Sequence, residues 1–203
     1  MYQQHSLTDF LDHLASASPT PGGGSAAAVM GSMGAALVSM VANLTIGKPK
    51  YQQVEAEMQT LLQRSENLRR RLLAAIEDDV SAFNQVMTAY RLPKETPERG
   101  EKIQAALKIA TDAPLTCARL CCDVIELCRT AAELGNVNVI SDAGVGVLAA
   151  HAALKSCTIN VIVNLNAIKD SAFVEDRRRQ LDEMTDNKDG EVETIYQWVL
   201  EKL

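Results

Sequence analysis

Apolar residues recur along this chain mainly in steps of three and four, the spacing that gathers them on one face of an α-helix. Leu7, Phe10, Leu11 and Leu14 begin the pattern behind Ser6, an N-cap hydroxyl with Asp9 three residues on, and predict a short helix ending near Ala17. The loop Pro19-Thr-Pro-Gly-Gly-Gly-Ser25 follows, and Gly24 or Ser25 opens a second helix to about Asn43. Over residues 50–92 the seam reads Tyr51, Val54, Met58, Leu61, Leu68, Leu72, Ala75, Ala82 or Phe83, Val86 and Tyr90. That is one long amphipathic helix, or two in line. Pro93 stops it, and Thr96-Pro97 supplies an N-cap and first-turn proline for a helix reaching about Leu134. Its inward positions are Ile103, Leu107, Ala110, Cys117, Leu120 or Cys121, Val124, and Leu127 or Cys128; Pro114 is expected to kink or break it. Gly135 and Asn136 end it.

Two stretches depart from the amphipathic pattern. Residues 26–47 carry no charge at all and must be buried. The run is long enough to span a bilayer, but Gly31, Ser32, Gly34, Ser39, Asn43 and Thr45 make it small-faced, and only Tyr51 flanks it as an aromatic. It is read as the middle of a soluble bundle or a dimer interface rather than a membrane span. In residues 136–170, Ser141 or Asp142 is expected as an N-cap, Gly144 and Gly146 keep the first turn small, and residues 143–168 hold only His151 and Lys155 as possible charges. Residues 158–163 are β-branched enough to suggest a strand. Helix is preferred because Ser156, Asn160 and Asn164 recur every fourth residue as one polar stripe, either an interhelical hydrogen-bond ladder or the wall of a polar pocket. Ser171 is expected to cap a charged helix to about Asn187, the turn Asn187-Lys-Asp-Gly190 follows, and a last helix carries Ile195, Trp198, Val199 and Leu203. With no repeat or linker, residues 1–203 read as a single all-α domain: a helical bundle with long helices and no sheet.

Composition supports this. Aromatics make up 4% of the 203 residues while 47% are hydrophobic, so the core is built from small and aliphatic side chains packed closely. The net charge is −6, and the triplets Arg69–Arg71 and Arg177–Arg179 sit among acids, which argues against nucleic-acid binding. The N-terminus has no basic segment leading into an apolar one, so a cytoplasmic protein is expected. Cys117, Cys121, Cys122 and Cys128 lack paired CxxC spacing and read as buried free thiols; His5, His13 and His151 are scattered, so no metal site is expected.

One position on the long seam is out of place. Continuing from Leu72 and Ala75 by four lands on Asp79. Either this carboxylate lies inward, where it must be paired or used, or a slight rotation carries it to the rim and turns Val80 inside. No G-x-S-x-G elbow surrounds Ser25 or Ser141, and Gly22-Gly-Gly-Ser25 is not a Walker loop. What remains is a polar set at helix ends and on apolar faces: the amides of Gly22, Gly23, Gly24 and Ser25, with Asn43, Lys48, Lys50, Asp79, Lys94, Asp142, Asn160 and Asn164. Amides at a helix start favour an anion or a carbonyl oxygen, and carboxylates favour a cation and can shuttle protons. Such a set suits a ligand with a delocalised cationic centre and an anionic tail.

The combination of PTPGGGS before a small-residue helix, VANLTIGKPKY, Asp79-x-x-x-Phe83-x-x-Val86 leading to Leu92-Pro-Lys94, and SDAGVG followed by NVIVNL resembles the cyclodeaminase/cyclohydrolase family over essentially the whole chain. GKPKY departs from that family's more usual Gly-Lys-Lys-x-Tyr. The resemblance implies an all-helical homodimer with folate sites near the subunit interface, no metal, and no cofactor beyond the tetrahydrofolate substrate itself. It implies hydrolysis of 5,10-methenyltetrahydrofolate to the 10-formyl compound, or, as the alternative, cyclodeamination of 5-formiminotetrahydrofolate with release of ammonia. A non-catalytic dimeric folate-binding module is the third reading. The absence of a formiminotransferase domain from these residues favours the cyclohydrolase. The residues expected to act are Asp142 or Asp79 as acid/base carboxylate and Lys94, which with Lys48 would bind anionic groups. Pro21, Gly22, Gly23, Gly24, Ser25, Asn43, Lys48, Lys50, Ser141, Asn160 and Asn164 are expected to bind substrate.

Overall fold

The computed structural model of the chain describes Tyr2 and residues 5–203. Seven α-helices carry them: α1 Leu7–Leu14, α2 Gly23–Asn43, α3 Glu55–Arg91, α4 Arg99–Leu134, α5 Ile140–Leu165, α6 Ser171–Thr185 and α7 Lys188–Lys202. Short 3-10 turns at Pro49–Val54 and Val137–Val139 lead into α3 and α5. No strand occurs among the described residues, so the β-branched stretch in α5 yields to its helical polar stripe.

The chain runs up and down through α2, α3, α4 and α5. The hydroxyls of Ser39 on α2 and Ser65 on α3 meet at 2.8 Å in the core, and α2 is packed against α3, α4 and α5. Its small residues explain why. A Cβ on Gly34 would stand 2.8 Å from the Gly146 carbonyl, and one on Gly146 would stand 3.3 Å from the Gly34 carbonyl. The backbones of α2 and α5 therefore touch where they cross, the close approach that small residues permit. Leu72, Val124, Cys128, Val147 and Leu154 fill the space around that crossing and are buried, each large aliphatic contributing about 1.5–3 kcal/mol. α6 lies on α4, and α7 packs on α5 and α4. Both α2 and the segment Val137–Leu165 are long and apolar enough to cross a membrane; in this fold α2 packs on three neighbouring helices and leaves one side, with Met33 and Met40, exposed.

Several helix boundaries differ from those the sequence suggests. The long seam is a single helix of 37 residues. α4 passes through Pro114 without a break. It starts at Arg99 rather than behind Thr96, after Glu98 adopts a left-handed backbone conformation. α5 begins at Ile140, so Ser141 and Asp142 sit inside its first turn and neither caps it; it ends at Leu165. Asp170, not Ser171, caps α6 by accepting from the Phe173 amide. The expected turn at residues 187–190 is instead the start of α7, with Asn187 left-handed just before it. The capping box of Ser6 and Asp9 forms as expected, though α1 stops at Leu14.

Candidate active site

At one end of the bundle, the start of α2 meets the C-terminal halves of α3 and α5 and the N-terminal half of α4. They enclose a cavity of about 310 Å³ whose lining includes Gly22, Gly23, Gly24, Asp79, Asn160 and Asn164. Asp79 is half-buried, which settles its ambiguity: it is neither in the core nor on the outer rim, but on the cavity wall. The Ser25 hydroxyl, itself fully buried, donates to Asp79 Oδ2 at 2.8 Å. Burial raises the Asp79 pKa above the usual aspartate value, and the hydrogen bonds from the Ser25 hydroxyl and amide partly offset that rise. Gly24 is the residue that admits the carboxylate. A Cβ there would lie 2.1 Å from Asp79 Oδ1. No side chain caps the N-terminus of α2 at Gly22, so its first amides remain donors directed at the same cavity.

Asn160 and Asn164 occupy the facing wall, one turn apart on α5. The Asn160 carboxamide donates to the Ser156 carbonyl at 2.8 Å within its own helix. Asn164 reaches across to α4 and donates to the Ala110 carbonyl at 2.7 Å. Ala110 is four residues before Pro114, which has no N–H to give it. The proline thus leaves a carbonyl open inside α4, and Asn164 fills the vacancy. With their amide nitrogens engaged, both side chains have an oxygen left to accept hydrogen bonds. The polar stripe is at once an interhelical link, through Asn164, and a pocket wall.

The expected site residues fall into two groups. Gly22 to Gly24, Asp79, Asn160 and Asn164 come together at the cavity, with Ser25 behind Asp79. Pro21 is buried and does not line it. Lys94 is exposed in the loop after α3, at the same end of the bundle. Asn43, Lys48, Lys50, Ser141 and Asp142 are at the opposite end, where Asn136 donates to the Leu44 carbonyl and ties the start of α5 to the end of α2. Along α2, Gly23 and Asn43 are about 30 Å apart, and along α5 Asp142 and Asn160 about 27 Å, at 1.5 Å per residue. Phe83, Val86, Pro114 and Val163 also line the cavity; the first two and Val163 fall within the motifs that carry the resemblance, but the sequence singles out none of the four as a site residue.

A larger groove of about 540 Å³ runs between α3 and α4, but of its carboxylates Asp78 is exposed and Asp112 is paired with Arg177. The chemistry is concentrated at the smaller cavity.

The sequence profile of the formiminotransferase-cyclodeaminase family matches residues 6–183. This chain belongs to that family. Methenyltetrahydrofolate cyclohydrolase of Methylorubrum extorquens is 53% identical, with both chains covered in full. Formimidoyltransferase-cyclodeaminase of Rattus norvegicus is 30% identical over 87% of this chain, which spans 33% of that longer protein. The crystal structure of formiminotetrahydrofolate cyclodeaminase from Thermotoga maritima superposes with a TM-score of 0.88 at 33% identity, covering 100% of this chain and 98% of the other. This chain therefore shares the fold of the Thermotoga protein.

Proposed function

We propose that this protein is a methenyltetrahydrofolate cyclohydrolase, with Asp79 as its acid/base carboxylate. The observation that carries the reading is Asp79 held by Ser25 on the wall of a cavity whose opposite wall offers two carboxamide oxygens. The full-length similarity to the Methylorubrum cyclohydrolase supports the reaction.

The chemistry fits the parts. The N–H groups of a pterin ring need acceptors, which Asn160 and Asn164 supply. The 5,10-methenyl bridge is an amidinium-like cation, and a carboxylate beside it stabilises that charge. Water adds to the bridge carbon while Asp79 takes one of its protons. The same carboxyl then returns a proton to N5 as the carbon–N5 bond breaks, and the remaining hydroxyl proton leaves to solvent as the formyl group forms on N10. A carboxylate whose pKa burial raises above the usual aspartate value more readily holds a proton to donate while still able to accept one, which suits both directions of transfer. The cavity, near the lower end of the size range of small-molecule sites, accommodates the pterin and bridge; the anionic glutamyl tail extends outward, where Lys94 lies.

The native state is proposed to be a cytoplasmic homodimer. Met33, Met40 and Leu44 on α2 and Val145, Leu148, Ile159 and Val163 on α5 are exposed and apolar, a contiguous face of the kind that marks an interface. Val163 also lines the cavity, so the face and the site are continuous. A two-fold axis perpendicular to α2 would set the Lys48, Lys50 and Asp142 end of one subunit against the cavity of the other, which reconciles the two groups of expected residues.

Loss of methenyl absorbance on adding the protein, measured against ammonia release from 5-formiminotetrahydrofolate, tests the assignment. The cyclodeaminase alternative is favoured by the Thermotoga structure, and ammonia release without methenyl hydrolysis would select it. Folate binding with neither reaction would leave only the binding module.

A further inference from the structure

Beneath the cavity floor is a cluster that the proposed reaction does not use. Cys117 and Cys121 are one turn apart on the same face of α4, and Cys157 faces them from α5; their three sulfurs all lie within 4.8 Å of one another. All three are buried and none is in a disulfide. Cys117 follows Pro114 by three residues, and Cys157 precedes Asn160 by three, so the cluster sits one helical turn below two residues that line the cavity. Gly31 on α2 leaves the space for it: a Cβ there would stand 3.1 Å from the Cys121 sulfur.

A buried cysteine serving only as a small apolar filler has no reason to seek other sulfurs. Cys128, solitary in the same core, is such a case. Three convergent sulfurs are a ligand set. With metal–sulfur bonds of about 2.3 Å, a trigonal ion needs its sulfurs about 4 Å apart, so closing this cluster onto an ion requires side-chain adjustments of under an ångström. Among the described residues no histidine or carboxylate joins the three at ligand distance. Zinc normally takes four ligands in a closed site, whereas soft thiolates without a fourth partner select Cu(I).

We infer that Cys117, Cys121 and Cys157 form a buried three-sulfur binding site for Cu(I), entered from the cavity above. Each thiol that becomes a ligand releases its proton to water, and no electron is transferred. The site does not depend on the folate assignment, because its readouts are stoichiometry and spectroscopy rather than turnover.

The test is an anaerobic titration of the reduced full chain with Cu(I) against a chromophoric chelator. One equivalent should bind, and X-ray absorption of the loaded protein should show sulfur-only coordination with three sulfurs. Cys121→Ala and Cys157→Ala should each weaken binding at least 100-fold, while Cys122→Ala and Cys128→Ala leave it unchanged; circular dichroism identifies any variant that fails to fold. Zn(II) should not bind at one equivalent under the same conditions. No copper withheld from the chelator, coordination by nitrogen or oxygen, or uptake that survives in well-folded Cys121→Ala and Cys157→Ala variants overturns the inference. The absorption measurement on the unsubstituted protein decides the matter even if every cysteine variant unfolds.

Discussion

The amide nitrogen of Asn164 is 2.7 Å from the Ala110 carbonyl, the one carbonyl in that turn of α4 that Pro114 deprives of its helical donor. An imperfection in one helix thus orients a side chain on another. Pro114→Ala restores an N–H that competes for this carbonyl and releases Asn164. The variant is expected to fold and to raise KM by about fivefold, as for the loss of roughly 1 kcal/mol of hydrogen bonding. Asn164→Ala should cost at least as much, and the double variant should cost less than the sum, since both act through one contact. Steady-state kinetics on the three variants checks this, and additive effects would refute the link.

Asp79 sets function against stability. Its carboxyl has a raised pKa in the folded chain, so between the unfolded and folded values the folded state binds more protons. Stability therefore falls as pH rises through that window, and the loss persists at neutral pH. Asp79→Asn should lower kcat by 10²–10⁴ fold. It should also raise Tm at pH 7 by about 2–4 °C for each kcal/mol recovered, with the gain shrinking in melts run near pH 4. Unchanged turnover would remove Asp79 from the mechanism.

Ser25 acts through Asp79 and is a positioning residue. Its hydroxyl and amide oppose the rise that burial imposes, so Ser25→Ala should move the acidic limb of the kcat/KM profile to higher pH. Restoring a hydroxyl with Ser25→Thr should return it toward the parent. A profile that falls in height without shifting would indicate only a packing defect.

The apolar face predicts an assembly. Met40→Glu and Leu148→Glu, at positions exposed in the single chain, should convert a dimer into a soluble monomer in sedimentation velocity. If the active site is shared, co-expressed Asp79→Asn and Asp142→Asn chains should recover up to about a quarter of parental activity, because a mixed two-fold dimer restores one of its two sites. A monomeric parent protein would rule out this arrangement.

Much of this architecture is legible in the sequence because long helices advertise themselves through period and punctuation. The interruption of the α3 seam at Asp79 and the spacing of Asn160 and Asn164 mark these residues in the sequence as candidates for a site, without deciding between a pocket wall and a rim charge or an interhelical ladder. What period cannot convey is which ends of the helices meet. Asp142, Lys48 and Lys50 share the chemical character of the cavity residues yet lie at the far end, because α2 and α5 run antiparallel and Asn43 and Asp142 fall at the ends of these helices away from the cavity. Cap assignments failed for a different reason. At α6 two polar residues stand in a row and the first of them, Asp170, is the cap, whereas α5 starts behind the apolar Val139 with no side-chain cap, where the 3-10 turn at Val137–Val139 leads into it. Pro114 shows the same limit: read alone it breaks a helix, and only Asn164 from another helix reveals its use.

The crossing of Gly34 and Gly146 has one last consequence. Backbone in contact with backbone leaves no slack, so α2 cannot slide along α5 without collision. From that point the Gly24 amide is about 15 Å away along one helix and Asn160 about 21 Å along the other. The two walls of the cavity are thus held in register by a fulcrum that touches no substrate, and a single methyl group added there would be felt as a misalignment at the far end of both levers.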